Sequence, residues 1–526
     1  MRMLERFNYL ATSRGGAAGY VRNFLLRYAI FRGPVRAAVW IIRKILGKTG
    51  AVHVALLAIK SFFFPEVPRN VQAYLKERER DPEVGRFYRE VYAKNAAMIR
   101  PRDATSRELF ERLGEGEALR ILLLSDIGFQ YGAGIALRRQ ASSLLLLGAE
   151  VVAVTLQEGS KQKPAVTGIS SFKGWGGVRQ VRDQIVDKRG AISSEALRAQ
   201  IAKIGPDVLI VGNLHGLTYP LLALDALRAT GVPVFAYMHD AFWVSGRCAA
   251  PLGCTKYLFG CDSDCPTANE YPRLDPDLIR KAWGDREQLF TGPNAINLIA
   301  NSNWTLGLAR QRFGERVHAQ VVHLGLDHMA FAPFPRKLAR QLLGVPDGRC
   351  VVLMGAVNVS DRWKGGTIFK GVHEALVNRG DVHVVLFGRD SHSLRAARSF
   401  GYVNDDRFMA LIYSTADIFV STAIAESFGQ TLLEASACGL ATVALNVGGV
   451  EDVVRHGETG LLVAEQSVAA VHAAVDELIK DQQKREAFGR AGRRRVEQHF
   501  TLVSQAEAWL DCIRRNAGER NAPPAV

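Results

Sequence analysis

The chain has 526 residues, which is too long for one hydrophobic core, so two or more domains are expected. Its hydrophobic content of 48% and charged content of 23% are ordinary for a folded soluble protein. The net charge of +15 is concentrated at one end, because residues 1–65 carry 11 Lys and Arg against one acid, Glu5, and the rest of the chain holds about +5. This distribution argues against a protein that binds nucleic acid over its whole surface.

The basic end, residues 1–65, mixes large apolar residues with Arg and Lys, as in "NFLLRYAIFRGPVRAAVWIIRKILGK". No window reaches the roughly 18 uncharged apolar residues that a transmembrane helix needs. No small-residue cleavage site of a secretory signal follows an apolar core. We therefore predict a basic amphipathic segment that lies on an anionic membrane surface. The alternative is a helical pair packed on the protein itself, with a solvated basic face.

Residues 66–118 are charged and helical in pattern, which predicts a helical spacer. At Arg120 the pattern changes to short apolar runs that stop at polar or glycine-rich turns, with helical patterns between them. The runs are "RILLLSDIG", "EVVAVTLQ", "DVLIVGN" and "VPVFAYMHD". Strands buried on both faces that alternate with helices indicate a parallel sheet. We predict a Rossmann-like domain over residues 119–330.

Four of the seven cysteines lie within 18 residues of this domain, at Cys248, Cys254, Cys261 and Cys265. Four thiolates can hold a tetrahedral zinc ion and fix a loop that has no core of its own. The spacing lacks the usual C-x2-C pairs, so free thiols and disulfides remain as alternatives. A structural zinc site is the favoured interpretation.

A second series of apolar runs follows over residues 331–498, again with helical patterns between the runs. They are "CVVLMGAVN", "VHVVLFGRD", "DIFVSTA", "ATVALNVGG" and "TGLLVA". Two such series predict an α/β protein with two Rossmann-like domains that face each other across a cleft. In open parallel sheets the ligand lies beyond the carboxyl ends of the strands, so the strand tips are the places to look for a site.

The stretch "AESFGQTLLEASACG" places Glu426 at such a tip and Glu434 in the helix that follows. The backbone N–H groups of Gly429, Gln430 and Thr431 would open that helix, and its positive end suits a diphosphate. Glu434, about one turn further on, is placed to accept hydrogen bonds from a ribose diol. The order along the motif is then sugar, diphosphate, ribose. A surface acid followed by a helix-face acid is the other reading, and the spacing alone is weak support.

The surrounding residues carry a resemblance. "ESFGQTLLEASACGLATVALNVGGVEDVVRHGETGLLV" resembles the E-x7-E region of family 4 glycosyltransferases of the GT-B fold, which transfer sugars with retention of configuration. "GAVNVSDRWKGG" is similar to that family's phosphate-binding strand and turn, "VVHLGLDHMAFAPFPRKLARQLLGVP" to its interdomain stretch and "NLIANSNWTLGLARQRF" to its P-S-x-W helix. "NLHG" and "MHDAFWVSGRCAAPLGC" resemble acceptor-domain loops of a subgroup that builds bacterial surface polysaccharides. The resemblance runs from about Arg120 to about Arg515.

The resemblance implies roles for individual residues. Glu426 would contact donor-sugar hydroxyls near the reacting carbon, and Glu434 would hold the ribose. Lys364 would neutralise the leaving diphosphate, where charge builds as the glycosidic bond breaks. His239 would lie over the donor sugar from the opposite domain. Glu426 and His239 are assigned to positioning and charge stabilisation, since retention in this fold has no agreed covalent nucleophile.

Further donor-binding positions follow from the same resemblance: Gly132, Gly134, Gly355, Asn358, Arg362, Phe428, Gly429, Gln430 and Thr431. The glycines at 132 and 134 would let the backbone approach the ligand closely. Many family members carry an Arg about six residues before the lysine, where this chain has Asn358. Arg362 lies nearer and is the expected replacement.

Plainer interpretations stand beside these. His239 could be a strand-end histidine with Asp240 as its partner or as a helix cap. Lys364 could belong to a surface turn, and a lone G-x-G is a weak signal. A hydrolase with Glu426 and Glu434 as acid and base would need the carboxylates to flank one bond about 5–10 Å apart. Both lie on one side of the expected diphosphate, which disfavours hydrolysis.

Together the patterns and the resemblance predict a retaining, metal-independent glycosyltransferase, of the hexosyltransferase type, at the inner face of a bacterial membrane. The second domain would bind a nucleoside diphosphate sugar, and the first a lipid-linked or growing surface polysaccharide. Residues 499–526 would form a helix that crosses back to the first domain, and a tail. No catalytic cofactor and no nucleic acid partner are expected. A catalytically inactive GT-B protein that binds glycans or acts as a scaffold at the membrane is the alternative function.

Overall fold

The computed structural model describes residues 69–79, 86–91, 93, 119–156, 163–167, 169, 171–185, 193–215, 227–292, 294–395 and 398–519. The predicted membrane-surface segment, residues 1–65, lies outside this range, as does much of the predicted spacer. Both sheets of the protein belong to one compact unit, Pro68–Phe400 together with Asn404–Val526.

The first sheet has seven parallel strands. They are β1 (Arg120–Ser125), β2 (Glu150–Thr155), β3 (Trp175–Gln180), β4 (Val208–Val211), β5 (Val234–Met238), β6 (Asn297–Ala300) and β7 (Ala319–Val321). The spatial order is β3-β2-β1-β4-β5-β6-β7, and β1 pairs with both β2 and β4. The direction of strand addition therefore reverses between β1 and β4, which is where open parallel sheets bind ligands.

The second sheet has six parallel strands. They are β8 (Cys350–Asn358), β9 (Val382–Arg389), β10 (Arg398–Ser399), β11 (Ile418–Ser421), β12 (Ala441–Leu445) and β13 (Gly460–Val463). The order is β10-β9-β8-β11-β12-β13, so the reversal here lies between β8 and β11. The loops that follow β8 and β11 carry Lys364 and Glu426, respectively.

Helices connect the strands of both sheets. Within the described residues they include α1 (Arg69–Glu79), α2 (Tyr131–Leu146), α3 (Arg182–Ile185), α4 (Ser194–Ile204), α5 (Lys256–Phe259), α6 (Pro276–Thr291), α7 (Asn303–Phe313), α8 (Arg336–Leu343), α9 (Gly366–Val377), α10 (Asp406–Thr415), α11 (Gln430–Ala437), α12 (Val450–Val453), α13 (Val468–Lys480), α14 (Gln482–His499) and α15 (Leu502–Glu519). Short 3-10 turns occur at Ala241–Trp243, Gly314–Arg316 and Ser391–Ser393. Across these elements, no helix combines the length and apolarity needed to cross a membrane.

Local side-chain chemistry sets many helix ends. Ser302 caps α7, because its Oγ accepts the backbone N–H of Thr305 and the Thr305 side chain accepts the N–H of Ser302. Ser193 caps α4 in the same way, with Oγ accepting the N–H of Ala196 at 3.2 Å. Gly344 ends α8 in the left-handed conformation that favours glycine.

The predicted pair of Rossmann-like domains is confirmed. All nine apolar runs singled out in the sequence contain strands, and the central residues of these strands are buried, except in β13, where Leu462 and Val463 are half-buried. Four further strands were not predicted. β3 and β10 are partly exposed edge strands, so they lack the continuous apolar run of a buried strand. β6 and β7 are short, at four and three residues, and flank a strongly helical stretch.

The C-terminal helix α15 packs on the first sheet. Trp509 is fully buried, and its ring lies 6.0 Å from Phe235 and 5.8 Å from Tyr237, both in β5. The two segments that link the domains run side by side, with Leu326 bonded through its backbone to Phe500 at 2.8 Å and to Leu502 at 3.1 Å. The chain thus leaves the first domain near Leu326 and re-enters it at α15.

Candidate active site

A cleft of about 870 Å³ lies between the carboxyl ends of the two sheets. Its lining includes eight of the residues predicted from sequence: Gly132, His239, Gly355, Lys364, Glu426, Phe428, Gln430 and Thr431. Five other predicted residues do not line it: Gly134, Asn358, Arg362, Gly429 and Glu434. The strand tips therefore converge as a parallel sheet requires, but these five residues of the expected site lie outside the lining of the cleft.

Lys364 and Glu426 form an ion pair in the cleft, with Nζ 2.8 Å from Oε2. The other carboxylate oxygen accepts the backbone N–H of Gly429 at 3.2 Å. Burial by itself would raise the pKa of Glu426, but the charge and hydrogen bond of Lys364, with the amides of Phe428 and Gly429, lower it below its ordinary value. A carboxylate and an ammonium, both charged at neutral pH, are therefore held side by side in the cleft.

Backbone contacts fix the distance between the two loops that carry this pair. The carbonyl of Trp363 accepts the N–H groups of Ile424 at 3.0 Å and Ala425 at 3.3 Å. The hydroxyl of Thr422 donates to the carbonyl of Lys364 at 3.0 Å. Gly365 has φ +68°, and a Cβ at this position would lie 1.9 Å from the carbonyl oxygen of Thr422. Only glycine permits so close an approach, so the loops hold the pair rigidly.

The helix α11 begins directly after this carboxylate. Gly429 precedes it with φ +100°, and its amide is already used by Glu426. The amides of Gln430 and Thr431 open the helix, where N–H groups have no intrahelical acceptor. The Gln430 side chain donates to the carbonyl of Gly132 at 2.9 Å, which joins this helix end to the first domain.

His239 enters the cleft from the tip of β5. Its carbonyl accepts the hydroxyl of Ser427 at 2.5 Å and the side-chain amide of Asn301 at 3.3 Å. Burial lowers the pKa of His239 to about 4, against the pull of Asp240, and the nearby His215 adds to the effect. The imidazole is therefore neutral at neutral pH. Ser427 and Asn301 were not identified from sequence, although Ser427 directly follows Glu426.

Asp240 does not pair with its neighbour His239. One oxygen caps the turn Ala241–Trp243 by accepting the N–H of Phe242 at 2.9 Å, and the other lies 3.2 Å from Nε2 of His215. Asp240 therefore caps this turn, as one of the two plainer interpretations of the sequence predicted, and it also contacts His215.

Glu434 is buried behind the cleft. Oε1 accepts from Nη2 of Arg139 at 2.6 Å, and Oε2 accepts the hydroxyl of Tyr413 at 3.0 Å. Burial raises the pKa of Glu434, against the pull of Arg139. The carboxylate that is expected to bind the ribose is therefore already paired with Arg139, a side chain of the first domain. Arg139 was not identified from sequence, although "ALRRQASSLLLLG" places two adjacent arginines in an otherwise apolar helix.

Arg362, which is expected to contact the donor phosphate, is not among the residues that line the cleft. Its side chain is 66% exposed and pairs with Glu270 at 2.8 Å. Asn358 instead shapes the turn, with Oδ1 accepting the N–H of Ser360 at 2.9 Å. Among the lining residues that the structure describes, Lys364 is the cation available to a diphosphate.

The clustered cysteines do not form the zinc site that the sequence favoured. In the described part of the chain, which includes all four, no three His, Cys, Asp or Glu side chains are grouped to hold a metal ion. Burial raises the pKa of Cys248 to about 11 and also raises that of Cys261. The Cys261 sulfur accepts the N–H of Gly246 at 3.3 Å, and Cys265 lies 3.6 Å from Arg247. Hydrogen bonds of the Arg247 guanidinium to backbone carbonyls fix the loop instead.

Gly134 provides a test of how tightly this region packs. A Cβ at Gly134 would lie 2.2 Å from the carbonyl oxygen of Gly128, whereas a Cβ at Gly132 would meet nothing closer than 3.8 Å. Ala normally stabilises a helix relative to Gly by about 0.5–1 kcal/mol. We expect Gly134→Ala to destabilise the protein by about 1–3 kcal/mol through overpacking. Gly132→Ala is the matched control; because the same helix has room for its Cβ, its urea midpoint of unfolding is expected to equal or exceed that of wild type. Equal midpoints for the two variants would contradict the packing described.

Comparison with known proteins agrees with this architecture. Residues 392–495 match the family of glycosyl transferases group 1. The chain is 28% identical over 368 residues to D-inositol 3-phosphate glycosyltransferase of Mycobacterium tuberculosis, covering 61% of this chain and 73% of that protein. Sucrose-phosphate synthase from Thermosynechococcus elongatus superposes with a TM-score of 0.56 at 20% identity, covering 76% of this chain and 99% of that chain. HepE of Anabaena, in complex with UDP-glucose, superposes with a TM-score of 0.55 at 18% identity, covering 76% and 100%. The family match falls within the second domain, and the solved structures share the two Rossmann-like domains of the GT-B architecture.

Proposed function

We propose that the protein is a retaining glycosyltransferase that moves a sugar from a nucleoside diphosphate sugar to a lipid-linked or growing cell-surface polysaccharide. The observation that carries this proposal is the Lys364–Glu426 ion pair, fixed in the cleft at the start of α11 and facing His239 of the other domain. Opposite charges held in a cleft suit a ligand that combines sugar hydroxyls with a diphosphate.

The donor diphosphate lies against Lys364 and the amides that open α11 in this proposal. Charge increases on the diphosphate as its bond to the sugar breaks, so a fixed cation and a helix N-terminus stabilise the transition state more than the ground state. The carboxylate of Glu426 accepts hydrogen bonds from donor-sugar hydroxyls. Its contact with Gly429 keeps it oriented while the ligand enters.

The transfer breaks the bond between C1 of the donor sugar and the diphosphate oxygen, and forms a bond from C1 to an acceptor hydroxyl oxygen. The nucleoside diphosphate leaves, and the acceptor proton passes to it or to solvent. The proposal assigns no covalent nucleophile and uses Lys364, with no metal ion, as the cation at the leaving group. The neutral imidazole of His239 serves as a hydrogen-bonding partner of the donor sugar.

Related proteins support a nucleotide-sugar donor. The mycobacterial relative is named as a glycosyltransferase, and the similar Anabaena structure holds UDP-glucose. The ribose contact of Glu434 is also part of the proposal, and Arg139 would share that carboxylate with the ribose or release it when the donor binds.

The acceptor and the membrane location rest on the sequence. A lipid-linked acceptor is met at the bilayer surface, and residues 1–65 carry the basic charge that anionic lipid attracts. We propose that the protein binds the inner face of the cell membrane peripherally through this segment. Salt-dependent co-sedimentation of the full chain with anionic vesicles, absent with neutral vesicles, tests this part of the proposal.

A donor panel tests the function directly. Release of nucleoside diphosphate from UDP-, GDP- and dTDP-sugars is measured with the full chain and membrane extract, and NMR of the product reports the anomeric configuration. We expect turnover of one donor, with the product keeping the configuration of the donor. An inverted product would refute retention. Absence of turnover and of any thermal shift with every donor would instead favour the alternative, an inactive GT-B scaffold.

A further inference from the structure

Polar side chains cluster at the carboxyl ends of neighbouring strands in the first sheet, on the side of the loops that carry Lys364 and Glu426. Asn213 and His215 follow β4, and Asp240 follows β5. Tyr271 joins them from a later loop, with its ring 5.6 Å from the His215 ring. Asp240 and Tyr271 line the cleft. None of these residues has a role in the donor site.

The Asp240 carboxylate is held firmly but keeps capacity to bind a ligand. One oxygen accepts the N–H of Phe242, and the other lies 3.2 Å from Nε2 of His215. His215 is buried, and its ring lies 4.6 Å from the Phe242 ring, so the surrounding side chains fix the position of its imidazole. Each carboxylate oxygen can accept a second hydrogen bond. A sugar hydroxyl that enters the cleft would therefore meet a fixed acceptor.

Tyr271 offers the other surface that sugars need. Its residue is 61% exposed, while its hydroxyl points into the polar cluster. Burial of that hydroxyl, and then the neighbouring carboxylates of Asp126 and Asp240, raise the pKa of Tyr271, so it remains a neutral phenol. An exposed ring beside a fixed carboxylate can take the apolar face of a sugar together with one of its hydroxyls.

A short path joins this cluster to the Lys364–Glu426 pair. His239 precedes Asp240, and its carbonyl accepts the hydroxyl of Ser427, the neighbour of Glu426. A sugar hydroxyl held by Asp240 would thus face the part of the cleft that the proposal gives to the donor sugar.

The charges of the cleft favour one class of acceptor. Its charged lining residues, as far as the structure describes them, are Asp240, Lys364 and Glu426. Lys364 is paired with Glu426 and is needed by the donor diphosphate, and His239 is neutral at neutral pH. Within the lining that the structure describes, the acceptor side therefore presents a carboxylate and no unpaired cation. A phosphate on the acceptor sugar would be repelled there.

We propose that Asp240, oriented by His215, and Tyr271 form the acceptor subsite, and that this subsite selects a neutral polyhydroxylated sugar over a phosphorylated one. The inference rests on the proposed glycosyltransferase function. It separates this chain from its mycobacterial relative, whose name specifies inositol 3-phosphate.

The test uses pairs of acceptors that differ only in a phosphate: alkyl hexosides with their 6-phosphates, and inositol with inositol 3-phosphate. Glycosylation by the full chain is followed with the donor found in the panel, and binding to the chain saturated with the matching nucleoside diphosphate is followed by ligand-observed NMR. Wild type is expected to favour the neutral member by about tenfold or more in kcat/KM, or in affinity.

Asp240→Asn removes the charge but keeps an N-cap for the turn at Phe242. It is expected to raise KM for the neutral acceptor about tenfold and to narrow the neutral-to-phosphorylated ratio, with KM for the donor unchanged. Asp264→Asn makes the same change at an exposed position in the same domain and is expected to match wild type.

Preference for the phosphorylated member, or an unchanged ratio in Asp240→Asn, would overturn the inference. So would failure of every neutral probe to bind or to be glycosylated while the donor still binds. Failure of the donor itself to bind would count against the proposed function, which keeps the two failures distinct.

Discussion

Replacing Glu426 with glutamine is expected to slow nucleoside diphosphate release by about 10²–10³-fold, the range measured when one preorganised electrostatic contact is removed from an active site. Glutamine keeps the size of the side chain and can still accept the N–H of Gly429. It cannot balance the charge of Lys364, and it binds sugar hydroxyls less strongly than a carboxylate does. The measurement is the initial rate with the donor found in the panel.

The control for this variant is Glu477→Gln. Glu477 is also paired with a lysine, Lys484, in the second domain, but it lies at the surface and is not among the residues that line the cleft. Its rate is expected to match wild type, and thermal denaturation shows whether both variants are folded. Equal rates for Glu426→Gln and Glu477→Gln would contradict the role assigned to Glu426.

A double variant asks whether the pair acts as a unit. Lys364→Met is also expected to lower the rate about 10²–10³-fold, because the diphosphate loses its cation. Residues that act together lose less in combination than the sum of their separate effects. Lys364→Met combined with Glu426→Gln is therefore expected to be little slower than the slower single variant. Additive losses would mean that the two side chains contribute independently.

Arg139→Met is expected to cost about 3–5 kcal/mol of stability, because it leaves the buried carboxylate of Glu434 without its charged partner. Both side chains are almost inaccessible, at 5% and 11% exposed, and they join α2 of the first domain to α11 of the second. Replacing both partners with apolar residues of similar size is often nearly neutral. Arg139→Met with Glu434→Leu should therefore recover most of the lost stability, measured as the midpoint of thermal denaturation.

The matched control is Arg316→Met. Arg316 pairs with Glu287 at the same distance of 2.6 Å, but its side chain is 61% exposed. Exposed pairs contribute about 0–1 kcal/mol, so this variant should unfold close to wild type. A loss for Arg139→Met no larger than that of Arg316→Met would show that the buried pair does not hold the domains together.

The pH dependence of the same variant has a definite sign. Burial already raises the pKa of Glu434, and loss of Arg139 removes the main opposing attraction. The folded protein then binds a proton that the unfolded chain releases, so stability falls as pH rises through the folded pKa. The deficit of Arg139→Met against wild type should be smaller at about pH 5 than at about pH 8. A deficit independent of pH would exclude an unpaired carboxylate as its cause.

The double variant also separates stability from donor binding. If Glu434 contacts the ribose as proposed, Arg139→Met with Glu434→Leu should regain stability but not donor affinity. A double variant that binds the donor as wild type does would remove Glu434 from the proposed site.

Most of the fold could be predicted because buried parallel strands have a local signature. Runs such as "CVVLMGAVN" are apolar at every position, since both faces of the strand are covered by helices. The edge strand β3, "WGGVRQ", is largely exposed and carries no such run, so pairing with β2 decides its conformation. The proximity of Lys364 and Glu426 could also be predicted from the sequence, because the tips of the adjacent strands β8 and β11 meet at one edge of the sheet.

The two parallel sheets and the two charged residues at adjacent strand tips are readable from the sequence, because burial and strand alternation affect neighbouring residues. The partners of the remaining charges depend on contacts between distant parts of the chain. Arg139 meets Glu434 across 295 positions, Arg362 turns to Glu270 across 92, and His215 meets Asp240 between two strand tips. The four clustered cysteines, all within the described residues, stay close in sequence, yet the fold does not group three of them as metal ligands. Such pairings depend on how the elements and domains approach one another, and short-range spacing does not encode that approach.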